Sequence, residues 1–308
     1  MRSNGGSMRQ AGAAAALTLL ALALPWVVAS APAAEAPPPH YALVAWSAAM
    51  AGHKAQALAA VQKLRPADDS GWNLTEQYSV LVRFGLWDEM LALPAPDPHA
   101  TALTAGYLYA RGFALAARGR LAEARATLQA LQQLVASMPP DTRAGTNTLV
   151  SVMKVAAPIV AARIASSERR PQLAVALLRQ AVAAQDELAA GEPPDWFFPA
   201  RHLLGAELLQ AGAAAQAASV YREDLKRNPG NGWALCGLAA ALVAQGRTTA
   251  AARTAGLFRV AWQSADVRLP GSAFWFAGPD TASCECQHDP AALPPPNVKL
   301  RRPQQQAP

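Results

Sequence analysis

The chain has 308 residues, is 52% hydrophobic but only 6% aromatic, and carries a formal net charge of +6. Alanine and leucine therefore supply most of the apolar fraction, which favours helices and leaves no long alternating segment that reads as a strand. The charge is modest and dispersed, without the dense Lys/Arg block of a nucleic-acid footprint.

The first element is a processing segment. MRSNGGSMRQ carries Arg2 and Arg9, the apolar run AGAAAALTLLALALPWVVAS follows, and the small residues APAAEA close it. This is the order of a secretory signal over residues 1–33, with cleavage frames at Val28-Ala29-Ser30 and Ala31-Pro32-Ala33. Removing Arg2 and Arg9 lowers the charge from +6 to +4. An uncleaved anchor is the alternative, but the run is near the lower length limit for a span and contains Pro25. Export to the periplasm or beyond is the expectation, with no membrane span after cleavage. A Pro-rich linker, 34–39, leads into the body of the chain.

From His40 onward one pattern recurs: a small residue, a glycine seven positions later, an alanine five beyond that. It reads Ala45-Gly52-Ala57, Gly112-Gly119-Ala124, Gly205-Gly212-Ala217 and Ala239-Gly246-Ala251. Tyr78-Gly85-Met90 is bulky at both small positions, and Ala162-Arg169-Ala174 lacks the glycine. Gly52 to Gly85 is 33 residues; Gly85 to Gly119 and Gly212 to Gly246 are 34 each. A fixed period of this size predicts a solenoid of helix pairs, in which the glycine ends one helix and the small residues let two helices approach closely. First helices are predicted to begin near His40, Asn73, Thr101, Thr146, Pro199 and Asn231, and second helices near Lys54, Trp87, Leu121, Pro171, Ala214 and Thr248. Pro94, Pro96 and Pro98 stop the second pair early.

Two connections exceed the period: Gly119 to Arg169 spans 50 residues and Arg169 to Gly212 spans 43. The first contains MPPDTRAGTN, the second EPPDWFFP. Trp196, Phe197 and Phe198 in the latter are either a plug over interrupted stacking or a wall of a binding site; a plug is the commoner use of clustered aromatics.

PARHLLGAELLQAGAAAQAASVYREDLKRNP resembles a tetratricopeptide repeat (TPR), with Gly205, Ala217, Tyr221 and Pro229 at the marked positions. With RFGLWDEMLALPAPD, EPPDWFFP and AWQSADVRLPGSAF, residues 40–275 look like the C-terminal half of longer bacterial TPR proteins. The resemblance implies an all-α, right-handed α-solenoid of about six TPR-like helix pairs between disordered termini. It also implies a concave groove lined by the first helices, where a protein or peptide partner binds without catalysis. The groove positions fall on Trp46, Trp72, Arg83, Tyr109, Phe113, Arg163, His202 and Trp233. Aromatic and guanidinium groups of this kind carry interface hot spots, and Arg83 and Arg163 could grip a carboxylate.

Signals for chemistry are weak, and no cofactor is expected. None of His40, His53, His99, His202 and His288 sits with another His or a carboxylate at metal-ligand spacing on one helix, and no phosphate loop or nucleophile elbow is present. Asp88-Glu89 and Glu223-Asp224 read as solvated surface. Cys236 sits in a predicted helix, and Cys284, Cys286 and His288 form CECQH in a tail, 276–308, that is rich in Pro and Gln. A disulfide is compatible with export, between the two tail cysteines or from one of them to Cys236. An enzyme or metal-handling protein using a histidine or this tail is the alternative reading.

Overall fold

The computed structural model describes residues 40–68 and 70–275. The signal segment, the linker, the CECQH motif and the tail lie outside them.

Twelve helices account for nearly all regular structure among the described residues. In chain order they are α1 (Tyr41–Ala51), α2 (Lys54–Val61), α3 (Glu76–Arg83), α4 (Trp87–Ala92), α5 (Thr101–Ala117), α6 (Leu121–Ser137), α7 (Leu149–Ser167), α8 (Pro171–Asp186), α9 (Ala200–Gln210), α10 (Ala214–Arg227), α11 (Gly232–Ala244) and α12 (Thr248–Ala261). A 3-10 turn, Trp72–Thr75, precedes α3. Every even-numbered helix begins at the residue its sequence signal marks.

The local causes are visible at the helix ends. The five pattern glycines, Gly52, Gly85, Gly119, Gly212 and Gly246, take left-handed φ values from +68° to +80°. Each frees the chain to reverse after a first helix, which an L side chain would resist. At the position without a glycine, Arg169 adopts the same conformation at φ +59°. Asn231 and Thr148 cap α11 and α7 by accepting from Ala234 N and Ser151 N, and Pro171 opens α8 where its missing N–H costs nothing.

The helices form two layers. Consecutive helices touch throughout, and the odd-numbered helices also touch one another in series. The odd helices thus form the inner layer and the even helices the outer. The small pattern residues sit at their contacts: Ala45, Ala57, Ala124, Ala162, Ala174 and Ala217 are fully buried. Tyr221 is wedged between two glycines, so that a Cβ on either Gly205 or Gly237 would stand 2.3 Å from its ring. α7 is long and apolar enough to cross a membrane, but 61% of that stretch is buried among its neighbours, the environment of a core helix.

The inner layer closes on itself, because α1 is in contact with α11. Trp233 Nε1 donates to Ala49 O at 3.2 Å, and the Trp262 ring lies against Gly52 and Gly232. The Asp266 carboxylate caps α2, accepting from Lys54 N at 2.5 Å and Ala55 N at 2.9 Å. The expected freely curved inner surface is therefore enclosed.

The two long connections pin each other. In the first, Arg143–Ala144 (β1) pairs antiparallel with Asn147–Thr148 (β2). Asn147 then reaches the second connection: its Nδ2 donates to Ala189 O and to Asp195 Oδ2, its N donates to Asp195 Oδ2, and its Oδ1 accepts from Ala189 N. These bonds hold the chain out of helix beyond α8, which stops at Asp186, several residues before Pro193 and Pro194. The same hairpin delays α7 to Leu149, and the 3-10 turn delays α3 to Glu76.

Candidate functional site

Seven of the eight groove residues are buried: Trp72, Arg83, Tyr109, Phe113, Arg163, His202 and Trp233. Trp46, on α1, is half-buried and packs against the core. The expectation that these groups stand exposed together is corrected; they converge, but under other parts of the same chain.

Two segments cover them. Trp196, Phe197 and Phe198 are 3–6% exposed, and Trp196 meets the Tyr109 ring edge-on with centroids 5.0 Å apart. They fill the inner face as a plug. The second cover is the irregular stretch 262–275 that follows α12. Phe274 packs on Trp233 and Gly85. Trp275 packs edge-on against Phe113 and lies 5.5 Å from the Arg163 guanidinium. Ser272 Oγ donates to His202 O at 2.8 Å and bonds the Tyr221 hydroxyl at 2.7 Å.

Beneath these covers runs a buried polar chain. Arg83, in the last turn of α3, has Nη1 3.1 Å from His202 Nδ1, and His202 Nε2 lies 3.0 Å from Asp224 Oδ2. A guanidinium only donates, so Nδ1 is the acceptor and Nε2–H donates to the carboxylate. His202 is thus the neutral Nε2–H tautomer. Burial pulls its pKa below the ordinary value, and the attraction of Asp224 does not restore it. Burial pushes the Asp224 carboxyl up, but His202, the amide of Asn228 and Arg83 together hold it below the usual range. Burial lowers Arg83 to about 9, with Asp224 opposing, so it remains a cation at neutral pH. Its guanidinium carbon lies 3.6 Å from the Trp233 ring centroid and 5.1 Å from that of Phe198.

Arg163 is enclosed similarly. It donates from Nη1 to Ser167 Oγ at 2.7 Å, and burial lowers it to about 10. Glu207 accepts from Trp275 Nε1 at 2.6 Å and from Ser166 Oγ at 2.8 Å. Neither arginine presents its fork to solvent, so the expected grip on a partner's carboxylate is closed off.

Asp224 is not on the surface beside Glu223, as its sequence neighbourhood suggests, but is 1% exposed. Glu223 does face solvent and pairs with Lys226. Glu207, Ser272 and Trp275 were not anticipated as inner-face residues, and no local signal singles them out. The Arg83–His202–Asp224 chain has the composition of acid–base machinery, but the His202 ring is fully buried and its partners among the described residues are Arg83 and Asp224, neither of them a nucleophile. Among the described residues, no group of three His, Cys, Asp or Glu side chains gathers at a metal site. Cys236 is buried and disulfide-bonded; Cys284 and Cys286 lie outside the described residues.

A cleft of about 180 Å³ remains open at the edge of the inner layer. It lies between the start of α1, the 3-10 turn with α3, and the two pinned connections, and Trp72, Glu76, Asp195 and Phe197 are among its walls. Glu76 is 8% exposed, its Oε2 has no hydrogen-bond partner among the described residues, and burial pushes the carboxyl up to about 8.

No family model matches the chain. No curated protein matches it either.

Proposed function

We propose that this protein is an exported, TPR-like right-handed α-solenoid of six helix pairs. It binds a protein or peptide partner on its inner face and has no chemistry of its own. Its own residues 262–275 occupy that face, so a partner gains access by replacing them.

One observation carries this reading. Four of the eight residues that the TPR resemblance assigns to partner binding are met by that segment: Arg163 and Phe113 by Trp275, Trp233 by Phe274, and His202 by Ser272, while Arg83 stacks on Trp233 one layer below. The segment is neither helix nor strand and is held largely by side-chain anchors. This is how an extended peptide is held in a groove of aromatic and polar pockets. The disulfide at Cys236 supports an oxidising compartment, in line with the signal-like start of the chain.

The test is a chain with Phe274→Ala and Trp275→Ala together, offered a labelled synthetic peptide of residues 262–275. The wild-type chain leaves the peptide free; the variant keeps its helical circular dichroism and takes the peptide up saturably. A folded variant that ignores the peptide rejects the reading and leaves the segment as a permanent structural latch.

A further inference from the structure

We propose that the open cleft over the first turn of α3 binds a small organic cation bearing a primary ammonium group. The Glu76 carboxylate is its counter-charge, and Trp72 and Phe197 are its apolar seat.

The lining has one sign of charge. Asp68, Glu76, Glu192 and Asp195 line the cleft and, among the described residues, no Lys or Arg does, in a chain whose net charge is +6. Among the described residues, the one further titratable group on its walls is His40, at the start of α1. Two of the acids are already engaged: Asp195 accepts from Asn147, and Asp68 accepts from Ser70 and Gly71. They shape the wall and its field. Glu192 is exposed at the rim.

Glu76 differs from these acids. It is nine-tenths buried, it lines the cleft, and its fully buried Oε2 has no partner among the described residues. A buried polar atom left unpaired is costly, so the Glu76 carboxyl gains a bond by turning toward a donor that enters the cleft. Metal ions are poorly served, since the described residues gather no ligand set of three. An ammonium on a carbon body fits better. Trp72, Phe197, Pro193 and Pro194 supply apolar wall, and aromatic surface attracts cations. The volume, about 180 Å³, falls below the roughly 300–1,000 Å³ of drug-sized sites, so the ligand is small. Burial holds Glu76 up to about 8 and therefore protonated at neutral pH. The ammonium enters as a cation, the carboxyl gives its proton to the buffer, and the ion pair remains.

Titration calorimetry of the full chain with cadaverine tests this, with 1,5-pentanediol as the uncharged isostere. The expected result at pH 7 is binding of the diamine and not the diol. Heats measured in buffers of different ionisation enthalpy should reveal release of close to one proton, and less release at pH 9. Glu76→Gln should weaken binding at least tenfold while retaining the fold, because a neutral amide replaces a neutral acid of the same shape. Nα-acetyl-lysine amide, run in parallel, separates a free diamine from a polypeptide lysine as the source of the ammonium; either ranking supports the site. Equal binding of the diol, no heat with either amine, or binding by the wild type without proton release overturns the proposal, whatever the variant does.

Discussion

Nη1 of Arg83 donates to Nδ1 of His202 at 3.1 Å, tying α3 to α9 across 119 positions of sequence. His202 passes its own proton toward Asp224 on α10, so one neutral ring separates a buried cation from a buried anion. His202→Ala leaves both charges without their bridge. Breaking a buried charged network in this way typically costs about 3–5 kcal/mol, and urea unfolding should register a loss of that order.

The pH dependence has two limbs. Glu76 titrates near 4.5 when unfolded and about 8 when folded. Between these values the folded chain holds a proton that the unfolded chain has lost. This contribution is complete below pH 4.5 and disappears as the pH rises through about 8, with a slope of up to about 1.4 kcal/mol per pH unit. His202 acts in the opposite sense. Its folded pKa is depressed below 6.5, so its contribution is present above that value and is lost as the medium becomes more acidic. Chemical denaturation across pH 5–9 should show the alkaline decline in the wild type, and Glu76→Gln should flatten that limb alone.

Arg169 occupies a conformation that its five counterparts reach as glycines. A left-handed backbone costs a side-chain-bearing residue about 1–2 kcal/mol, part of which glycine gives back through the greater freedom of its unfolded chain. Arg169→Gly should therefore stabilise the protein by about 0.5–1 kcal/mol. The side chain is exposed, and Glu168 beside it pairs with Arg125 and Arg170 instead, so the melting temperature reads the backbone effect.

Tyr221 tests the close approach of α9, α10 and α11. Its ring leaves no room for a methyl group on Gly205 or Gly237. Gly237→Ala should destabilise by about 1–3 kcal/mol through overpacking. Tyr221→Phe, which removes only the hydroxyl bonded to Ser272, should cost about 1 kcal/mol. A thermal unfolding series of the two variants separates volume from hydrogen bonding.

The sequence was most informative where causes are local. Lys54, Trp87, Leu121, Pro171, Ala214 and Thr248 open their helices as expected, because a left-handed exit, through glycine in five cases and Arg169 before Pro171, and the apolar period that follows it need nothing from the rest of the chain. The inner-face residues were legible as a set, since the resemblance brought Arg83, Arg163, His202 and Trp233 to one side of the first helices. Their cover was not. Asp224 meets His202 on the preceding helix, Asn147 meets Asp195 across two connections, and Asp266 caps α2 from 212 residues away. Each is one ordinary polar residue whose role depends on which distant atom arrives beside it. Ring closure is likewise the product of such pairings and leaves no periodic trace.

The segment over the inner face can be observed directly through the Trp275 indole proton, which is donated to Glu207 at 2.6 Å inside the core. Hydrogen exchange of that indole, followed by NMR in the wild-type chain, should be slowed by at least a hundredfold relative to a free tryptophan, with a cross-peak to Phe113. Free exchange with no such cross-peak, while the helix amides stay protected, would contradict an inner face occupied by the chain's own residues 262–275.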